Sequence, residues 1–578
     1  MNATTIGSVD PSGYPVPAAS VGRLFLDRVA ATPSAEAFRY PLDGGWASVT
    51  WGQTAETVTT VAAGLLALGI GPQERVAIAS STRMEWLYAD LAIMCAGAAT
   101  TAIYPTTGVE DVGYILGDSG TRLVFAEDDA QVAKLHALRD RLPDVVRVIT
   151  FDGHADGEWV LSLDDLKARG ARHLVEHPGA VVEAVAAVRP EHLATLMYTS
   201  GTTGRPKGVE LPHRCWTYVG AGAQSIDILS IDDLQLLWLP LSHSFGKMLE
   251  AVQLQIGFPT AVDGRLDKIV DNLAVVRPTF MAGPPRIFEK VHSNVVQTMQ
   301  EEGGVKFTLF RWAFAVGDQM SQVRRAGRQP GWSLRGRHAL ADRLVLSKVR
   351  DRLGGRIRFM VSGSAALSPD VAAWFHAADL LVLEGYGLTE TSAAACLVRP
   401  VDPAFGVVGP PLTGTEVRIA ADGEILVRGP GVMAGYHNLP DATAEALSPD
   451  GWFASGDIGE VDAAGRLRIT DRKKDLMKTS GGKYIAPQPS RSCSAPSARS
   501  PARCSCTRID ATTRPRLSPS TPTLSPSGPE LRTSQRPTTR PWPPIPPCAA
   551  MCGPASTSST SASTVGRPSR TSASSTTT

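Results

Sequence analysis

The chain has 578 residues, with 57 Lys or Arg against 56 Asp or Glu. This balance conceals two unlike parts, because residues 1–489 hold 46 basic and 54 acidic residues, whereas residues 490–578 hold 11 Arg and only two acidic residues. An acidic main part argues against a general nucleic-acid binder. Its three widely spaced cysteines fit a reducing compartment, and no apolar run is long enough to span a bilayer. We therefore expect a soluble, cytoplasmic protein.

Apolar strand patterns alternate with helical periodicity along most of the chain. A helix is predicted over residues 85–96. Strands are predicted at residues 75–80, 122–126, 193–197, 234–239, 279–282, 357–361 and 380–383. Strands separated by helices favour parallel sheets that are covered on both faces.

Two later regions depart from this alternation. Residues 285–350 are predicted to be mostly helical, with a basic segment at 324–337 that we interpret as a solvated hairpin rather than a binding patch. Residues 416–472 contain short strand patterns and glycine turns, which predict a smaller β-rich subdomain.

Residues 198–209, YTSGTTGRPKGV, follow a predicted strand and carry three glycines, five hydroxyl side chains and Lys207. Glycines let backbone N–H groups approach an anion and hydroxyls add donors, so the pattern indicates a phosphate-binding loop. It is not a Walker A loop, because Pro206 precedes Lys207 and Gly208 follows it. The alternative is a flexible surface loop, which the density of glycines and hydroxyls after a buried strand disfavours.

A second motif, EGYGLTETS at residues 384–392, follows the predicted strand at 380–383. It places Tyr386, Thr389 and Glu390 at a carboxyl strand end, where open α/β sheets bind ligands. A carboxylate beside a phosphate loop is suited to hold Mg²⁺, although Glu390 alone would more often be a charge at a helix start. The turn VSGSAA at 361–366 would place small residues against a flat ring such as adenine.

The β-rich region contains two further motifs, GWFASGDIG at 451–459 and TDRKKDLMK at 470–478. An Asp in a glycine-flanked turn, with an Arg fifteen positions later, suits the two hydroxyls of a ribose. Without that context, the run at 472–475 would be interpreted as a solvated charge cluster.

These four motifs, in this order and spacing, resemble the adenylate-forming superfamily of acyl-CoA synthetases, luciferases and peptide-synthetase adenylation domains, over roughly residues 20–489. LPLSHSFGK (239–247), GPPRIFEKV (283–291), the helical insert at 300–350 and RKKDLMKTSGGKYIAPQ most resemble long-chain fatty-acid–CoA ligases. The resemblance implies an α/β fold: a large N-terminal domain of two parallel-type sheets with helices, a small β-rich subdomain and a C-terminal α/β lid. It implies that ATP activates a long-chain fatty acid to acyl-AMP, which CoA converts to acyl-CoA with release of AMP.

The resemblance also implies roles by position. Thr199, Lys207, Glu390 and Lys474 are the expected catalytic residues, with Thr199 and Glu390 as Mg²⁺ ligands and Lys474 at the hinge of the lid. His243 is expected to be an aromatic gate beside the acyl pocket. The expected nucleotide-binding residues are Ser200, Gly201, Thr202, Thr203, Gly204, Ser364, Ala365, Glu384, Gly385, Tyr386, Gly387, Thr389, Asp457, Arg472 and Lys478. The expected ligands are ATP, Mg²⁺, CoA and a fatty acid, with no nucleic acid, and peripheral contact with a membrane is compatible with such a substrate.

The predicted domains are an N-terminal extension (1–19), an AMP-binding adenylation domain (20–472, with the β-rich subdomain at about 410–472), a hinge and lid start (473–489) and a tail (490–578). In the tail, 50 of 89 residues are Ser, Thr or Pro, which predicts disorder. When the codons for the tail are read in the shifted frame that begins at the third base of each codon, they can encode segments with strand and helix periodicity. These segments resemble the expected lid. We therefore predict a frameshift after Pro489, with activity impaired by loss of the lid; a natural disordered tail is the alternative.

Two other functions stay open at this point. One is a ligase for medium-chain or aryl acids, because dispersed apolar residues would line the acyl tunnel. The other is a protein that binds ATP or an acyl group without catalysis.

Overall fold

The computed structural model describes residues 4–199 and 205–473, together with the backbone of two short paired strands, Met477–Lys478 and Tyr484–Ile485. Apart from this two-stranded pair, the strands form two large mixed sheets and one small antiparallel sheet. The predicted α/β fold, with two sheets of mainly parallel strands and a β-rich subdomain, is confirmed. The prediction of disorder for 490–578 lies outside the described residues.

The first large sheet contains three of the strands predicted from the sequence. In spatial order its strands are Gly435–Tyr436, Lys207–Pro212, Leu193–Thr199, Ala99–Ile103, Arg75–Ala79, Thr121–Ala126, Arg147–Thr150 and Val160–Ser162. The strands from Leu193–Thr199 onwards are parallel, whereas the first two pair antiparallel.

The second large sheet contains the other four predicted strands. In spatial order its strands are Cys396–Leu397, Leu381–Tyr386, Phe359–Ser362, Phe280–Gly283, Gln235–Leu237, Thr260–Val262, Glu36–Leu42 and Gly45–Thr50. Its six central strands are parallel, and the two edge strands are antiparallel.

The small sheet is antiparallel and corresponds to the predicted β-rich subdomain. Its strands are Thr5–Gly7, Glu416–Ile419, Glu424–Arg428, Phe453–Val461 and Leu467–Arg472. The first strand comes from the region predicted as an N-terminal extension and pairs with Glu416–Ile419. Its short, polar sequence gives no strand pattern, so only the tertiary pairing reveals it.

Helices cover the large sheets and fill the region between them. They are Val21–Ala31, Trp51–Ala67, Met84–Cys95, Val109–Asp118, Asp129–Leu138, Leu163–Glu176, Ala180–Ala187, His213–Gln224, Ser244–Ile256, Ile269–Val276, Pro285–Glu302, Gly304–Arg325, Trp332–Ala341, Ser347–Arg352, Pro369–Ala377 and Pro440–Ala446. Among the described residues, no helix combines the length and the apolar character needed to cross a bilayer.

The helix Trp51–Ala67 shows how local sequence and packing act together. Its start is fixed by a capping box, in which the Thr50 hydroxyl accepts from the Gln53 N–H at 3.2 Å and the Gln53 side chain accepts from the Thr50 N–H at 2.9 Å. Leu163–Glu176 crosses this helix so closely that a Cβ at Gly170 would lie 1.9 Å from the Thr60 carbonyl oxygen. Only glycine permits this approach of the two backbones.

The parallel strands bring the sequence motifs to their carboxyl ends. Leu193–Thr199 ends at the phosphate-loop motif, Phe359–Ser362 at the VSGSAA turn, and Leu381–Tyr386 within EGYGLTETS. Ligands of open α/β sheets bind at such ends, so the fold positions three motifs for one site.

Candidate active site

One cavity of about 940 Å³ is lined by residues of all three sheets. The first sheet contributes Thr199, Lys207 and Tyr436, and the small sheet contributes Arg472. The volume lies in the usual range for small-molecule sites. Of the predicted residues, those that line this cavity are Thr199, Lys207, His243, Ser364, Gly385, Gly387, Thr389, Glu390 and Arg472.

The phosphate-loop motif begins and ends at the cavity. Thr199 and Lys207 are directly opposite each other in the antiparallel pairing of their strands. The intervening motif residues Ser200, Gly201, Thr202, Thr203 and Gly204 lie outside the described residues. The strand pairing therefore holds the two ends of the predicted loop together.

Lys207 and Glu390 are linked by Tyr436, which the sequence analysis did not single out. The Tyr436 hydroxyl donates to Glu390 Oε1 at 2.9 Å, and Lys207 Nζ lies 4.9 Å from the centre of the Tyr436 ring. The edge strand containing Tyr436 pairs with Lys207–Pro212, and the Met433 N–H donates to the Glu390 backbone carbonyl at 2.8 Å. Burial, reinforced by the Glu390 charge, raises the pKa of the Tyr436 hydroxyl, which therefore stays a donor.

Strand alternation decides which part of EGYGLTETS reaches the cavity. Gly385 and Gly387 line it, whereas Glu384 and Tyr386, whose side chains point to the other face of the strand, do not. Glu384 is buried and accepts from the Gly406 N–H at 3.0 Å and the Leu367 N–H at 3.3 Å, and burial raises its pKa. Its carboxylate thus ties two loops to the strand.

Asp457 and Arg472, the two residues predicted for a ribose site, lie together, and Tyr386 contacts Asp457. The Tyr386 hydroxyl donates to Asp457 Oδ2 at 2.8 Å, and Arg472 Nε lies 3.2 Å from Asp457 Oδ1. Burial raises the pKa of Asp457, against the opposing effects of Tyr386 and Arg472. Only Arg472 lines the cavity. Ser364 lines it as well, with a φ of 68° in the left-handed region, whereas Ala365 does not.

His243 lies at the start of the helix Ser244–Ile256. Its Nδ1 accepts from the Phe245 N–H at 3.1 Å, and burial lowers its pKa. The neighbouring Ser244 hydroxyl lies 3.2 Å from the Thr389 hydroxyl. The imidazole is therefore neutral, fixed in orientation and placed beside the nucleotide motif.

The rest of the cavity wall is apolar. Helices His213–Gln224 and Ser244–Ile256 face strands of the second sheet across it, and the wall includes Val219, Met248, Val252, Phe280, Phe359 and Leu397. Phe280 and Phe359 stack with ring centres 5.6 Å apart. The cavity thus combines a charged and hydroxyl-rich part with a part suited to a hydrocarbon chain.

A buried ion cluster behind the cavity was also missed by the sequence analysis. Lys247 donates to Asp90 and, at 2.9 Å, to Glu250 Oε2, and these side chains are 1%, 0% and 0% exposed. The Thr100 hydroxyl donates to Asp90 Oδ1 at 2.7 Å. The cluster fastens Ser244–Ile256 to Met84–Cys95. An Asp inside the apolar helix MEWLYADLAIMC was the one available signal.

Besides residues 200–204, two further predicted residues cannot be compared with the cavity. Lys474 lies outside the described residues, and for Lys478 only the backbone is described, in the strand Met477–Lys478. The cavity includes Arg472 and Lys473, which directly precede the predicted hinge. Lys473 is held by Asp422 at 2.8 Å and by Glu424 at 2.7 Å.

Comparisons with known proteins identify the family and agree with the fold. Residues 25–437 match the family model described as AMP-binding enzyme. A long-chain-fatty-acid–CoA ligase from Mycobacterium bovis is 36% identical over 470 residues, 81% of this chain and 76% of the relative. Human long-chain-fatty-acid–CoA ligase 1 is 32% identical over 471 residues, 75% of this chain and 64% of the relative.

Solved structures show the same fold at lower identity. An anthranilate CoA ligase in complex with anthranoyl-AMP superposes with a TM-score of 0.62 at 20% identity, covering 82% of this chain and 80% of the other. A Mycobacterium tuberculosis fatty acyl CoA synthetase gives a TM-score of 0.60 at 21% identity, covering 81% of each chain.

Proposed function

This chain belongs to the AMP-binding enzyme family, and from that membership we propose that it is a long-chain fatty-acid–CoA ligase. The reaction converts a fatty acid, ATP and CoA into acyl-CoA, AMP and pyrophosphate. The observation that carries the proposal is one cavity that joins a charged cluster to a long apolar wall. Both parts are needed when an apolar acid is activated by a nucleotide.

The nucleotide is assigned to the polar part of the cavity. Thr199 and Lys207, with the loop between them, are proposed to bind the phosphates. Gly385 and Gly387 leave room for the adenine, and Ser364 borders the same space. Arg472, oriented by Asp457, is proposed to bind the ribose.

The residues fit a magnesium ion. Mg²⁺ is typically bound by one or two carboxylates together with substrate phosphates, not by an all-protein cage. Tyr436 engages Oε1 of Glu390, and Oε2 has no hydrogen-bond donor among the described side chains. The described residues also contain no group of three or more His, Cys, Asp or Glu that would form a cage. Glu390 and Thr199 would hold the ion, which offsets phosphate charge when bound.

The first step is an attack of the fatty-acid carboxylate on the α-phosphorus of ATP. An oxygen–phosphorus bond forms and the bond to pyrophosphate breaks, so negative charge gathers in the polar part of the cavity. The Lys207 ammonium lies above the Tyr436 ring in this part of the cavity. Because no carboxylate of the described residues lies within ion-pair distance of it, its charge is available to offset the developing negative charge. In the second step the CoA thiol attacks the acyl carbon and AMP leaves.

The apolar wall is proposed to hold the acyl chain, with His243 as the gate between the two parts. A panel of acids tests this assignment through acid-dependent exchange of labelled pyrophosphate into ATP. We expect exchange to be supported best by long-chain acids. A preference for medium-chain or aryl acids would contradict the proposed substrate class, and binding of ATP without any exchange would identify a non-catalytic protein.

We further propose that the enzymatic activity of the 578-residue chain is impaired, because residues 490–578 are translated from the coding sequence of the lid in the wrong reading frame. Loss of one preorganised cation typically costs about 10²–10³ in rate, and loss of the lid removes the surface for thioester formation. Sequencing the gene across codons 485–495 tests the frame directly. If the frame is restored, the repaired protein should form acyl-CoA while the 578-residue chain does not; equal rates for both would refute the impairment.

We also propose where in the cell the enzyme acts. A long-chain acid partitions into bilayers, so we place the enzyme in the cytoplasm with peripheral contact to a membrane. Fractionation of cells followed by a salt wash tests this placement.

A further inference from the structure

One helix of the insert at 300–350 exposes large apolar side chains. Trp332 is 89% exposed, Leu340 is 52% exposed and Leu344 is 37% exposed. Their positions differ by multiples of four, so the three side chains recur along one side of the helix and the π-helical turn that extends it. His338 and Ala341, on the side that faces the protein, are buried.

Three exposed arginines accompany these side chains, with Arg335 and Arg337 on opposite flanks of the helix because they are two residues apart. Arg335, Arg337 and Arg343 are exposed, and within the described part of the chain none has a carboxylate at ion-pair distance. Arg335 and Arg337 donate only to side-chain amides, at 3.2 Å and 3.1 Å. We call the six residues Trp332, Leu340, Leu344, Arg335, Arg337 and Arg343 the Trp332 face.

Two other arginines of the insert do have carboxylate partners. Arg324 pairs with Asp379, and Arg350 pairs with Asp342 at 2.6 Å. Residues 324–352 contain nine Lys or Arg and two Asp, although residues 1–489 as a whole are acidic. The insert is therefore a cationic region on an acidic body, and the Trp332 face carries three of its cations that have no carboxylate partner among the described residues.

A solvated hairpin, as the sequence suggested, accounts for the arginines but not for the tryptophan. A single exposed apolar residue is ordinary, but this helix places three of them on one side among arginines that lack carboxylate partners. Helices that lie in a membrane interface have this composition, with Trp and Leu inserted and cations toward the lipid headgroups. Arginine stems can cover apolar surface while their guanidinium groups reach phosphates.

We propose that the Trp332 face docks the enzyme on the surface of an anionic phospholipid bilayer. The charge complementarity selects this partner, because the free guanidinium groups meet phosphates while the indole enters the interface. The inference rests on the proposed function, since a long-chain acid is collected from a bilayer, and it names the surface that makes the contact.

The test is cosedimentation of the full 578-residue chain with vesicles of phosphatidylcholine, with or without phosphatidylglycerol. We expect binding to the anionic vesicles that weakens as salt rises. The combined variant Arg335→Gln, Arg337→Gln and Arg343→Gln should partition about a hundredfold more weakly, at about fivefold for each cation removed. Trp332→Ser should weaken binding to the same vesicles at every salt concentration.

A matched control removes three exposed arginines elsewhere, Arg23→Gln, Arg172→Gln and Arg189→Gln. Because it changes the net charge equally, it should bind nearly as well as the unaltered chain. Brominated lipids should quench part of the tryptophan emission of the unaltered chain, and Trp332→Phe should lose that part.

Three results would overturn the inference: no binding to anionic vesicles, equal loss in both triple variants, or no quenching assignable to Trp332. A change in molar mass of Trp332→Ser in lipid-free light scattering would instead assign the face to self-association. These measurements use no ATP, acid or CoA. A failure of the ligase assay therefore leaves the docking result intact, and a failure of docking leaves the ligase assignment intact.

Discussion

The protein contains two clusters of lysine and carboxylate that use similar residues in opposite ways. Lys247, Asp90 and Glu250 lie in the core, where the one lysine contacts both carboxylates. Lys207 and Glu390 line the cavity, and no direct ion pair joins them. The first cluster is closed, whereas the second keeps its charges available.

The difference shows how this fold separates stability from chemistry. In the closed cluster, desolvation is offset by mutual hydrogen bonds, so removal of one partner leaves a buried charge alone. In the open cluster, the Tyr436 hydroxyl positions the Glu390 carboxylate and the Tyr436 ring lies beneath the Lys207 ammonium. Tyr436 is uncharged in both contacts and neutralises neither group. We therefore expect substitutions in the closed cluster to change folding, and substitutions in the open cluster to change turnover.

The largest expected effect is that of Lys247→Met. This substitution leaves two carboxylates in the core without a cation, and we expect a loss of about 3–5 kcal/mol in the free energy of unfolding. Urea denaturation followed by circular dichroism measures it. Lys167→Met, which breaks the exposed pair of Lys167 with Asp164, is the matched control and should cost less than about 1 kcal/mol.

If Lys247→Met does not fold, a second variant keeps the comparison testable. Replacing all three members of the closed cluster by apolar residues of similar volume removes the uncompensated charge, and such replacement is often neutral or stabilising. The triple variant should therefore be more stable than Lys247→Met. Equal or lower stability would show that the charges themselves are not the cause.

Glu390→Gln is the corresponding change in the open cluster. The amide keeps the shape of the side chain but removes the charge proposed to bind Mg²⁺, so adenylation should fall by about 10²–10³. Pyrophosphate exchange by the frame-repaired protein measures this fall. Glu445→Gln alters another carboxylate on the cavity wall and should leave exchange within about twofold, and both variants should retain the urea midpoint, because neither carboxylate is part of the closed cluster.

The open cluster was predictable because local motifs encode most of it. Thr199 and Lys207 flank a glycine-rich segment at a strand end of the first large sheet, and Glu390 follows a buried strand of the second, so the sequence could place each motif at the ligand-binding end of its own strand. Tyr436 escaped prediction because its strand is two residues long and pairs at the sheet edge, more than two hundred residues after Lys207.

The closed cluster was beyond prediction for a different reason. Asp90 and Lys247 are 157 residues apart, and their contact depends on how two helices pack between the large sheets. Motif membership also failed to tell which side chains face the cavity. Glu384 belongs to the same motif as Gly385, but the strand turns its carboxylate toward backbone N–H groups, and the register of a strand is fixed only by its neighbours.

The closed cluster should also make the stability of the fold depend on pH. Burial raises the pKa of Glu250 to about 7, above its unfolded value, so between about pH 4.5 and 7 the folded state binds a proton that the unfolded state has released. This contribution to stability is present at low pH and is lost as pH rises through the folded pKa, by at most about 1.4 kcal/mol per pH unit. In Glu250→Gln the titrating carboxyl group is replaced by an amide, which does not ionise.

The difference in unfolding free energy between the unaltered chain and Glu250→Gln should therefore change with pH in favour of the variant, from about pH 4.5 to 7. Urea denaturation at each pH measures both proteins under identical conditions, so other titrating groups cancel. Parallel stability curves would show that Glu250 is ionised throughout this range.

The smallest expected effect is that of Tyr436→Phe. The phenyl ring still lies beneath Lys207, but Glu390 loses the hydrogen bond from Tyr436, which for a charged acceptor is worth about 1.5 kcal/mol or more. We expect about a tenfold fall in adenylation and a higher Mg²⁺ concentration for half-maximal rate.

Tyr198→Phe removes a similar hydroxyl, which donates to Asp118 at 2.7 Å and does not line the cavity; it should leave the Mg²⁺ requirement unchanged. An unaltered Mg²⁺ requirement in Tyr436→Phe would show that the hydroxyl does not position the metal-binding carboxylate, because a loss of stability alone would lower the rate without changing the response to the ion.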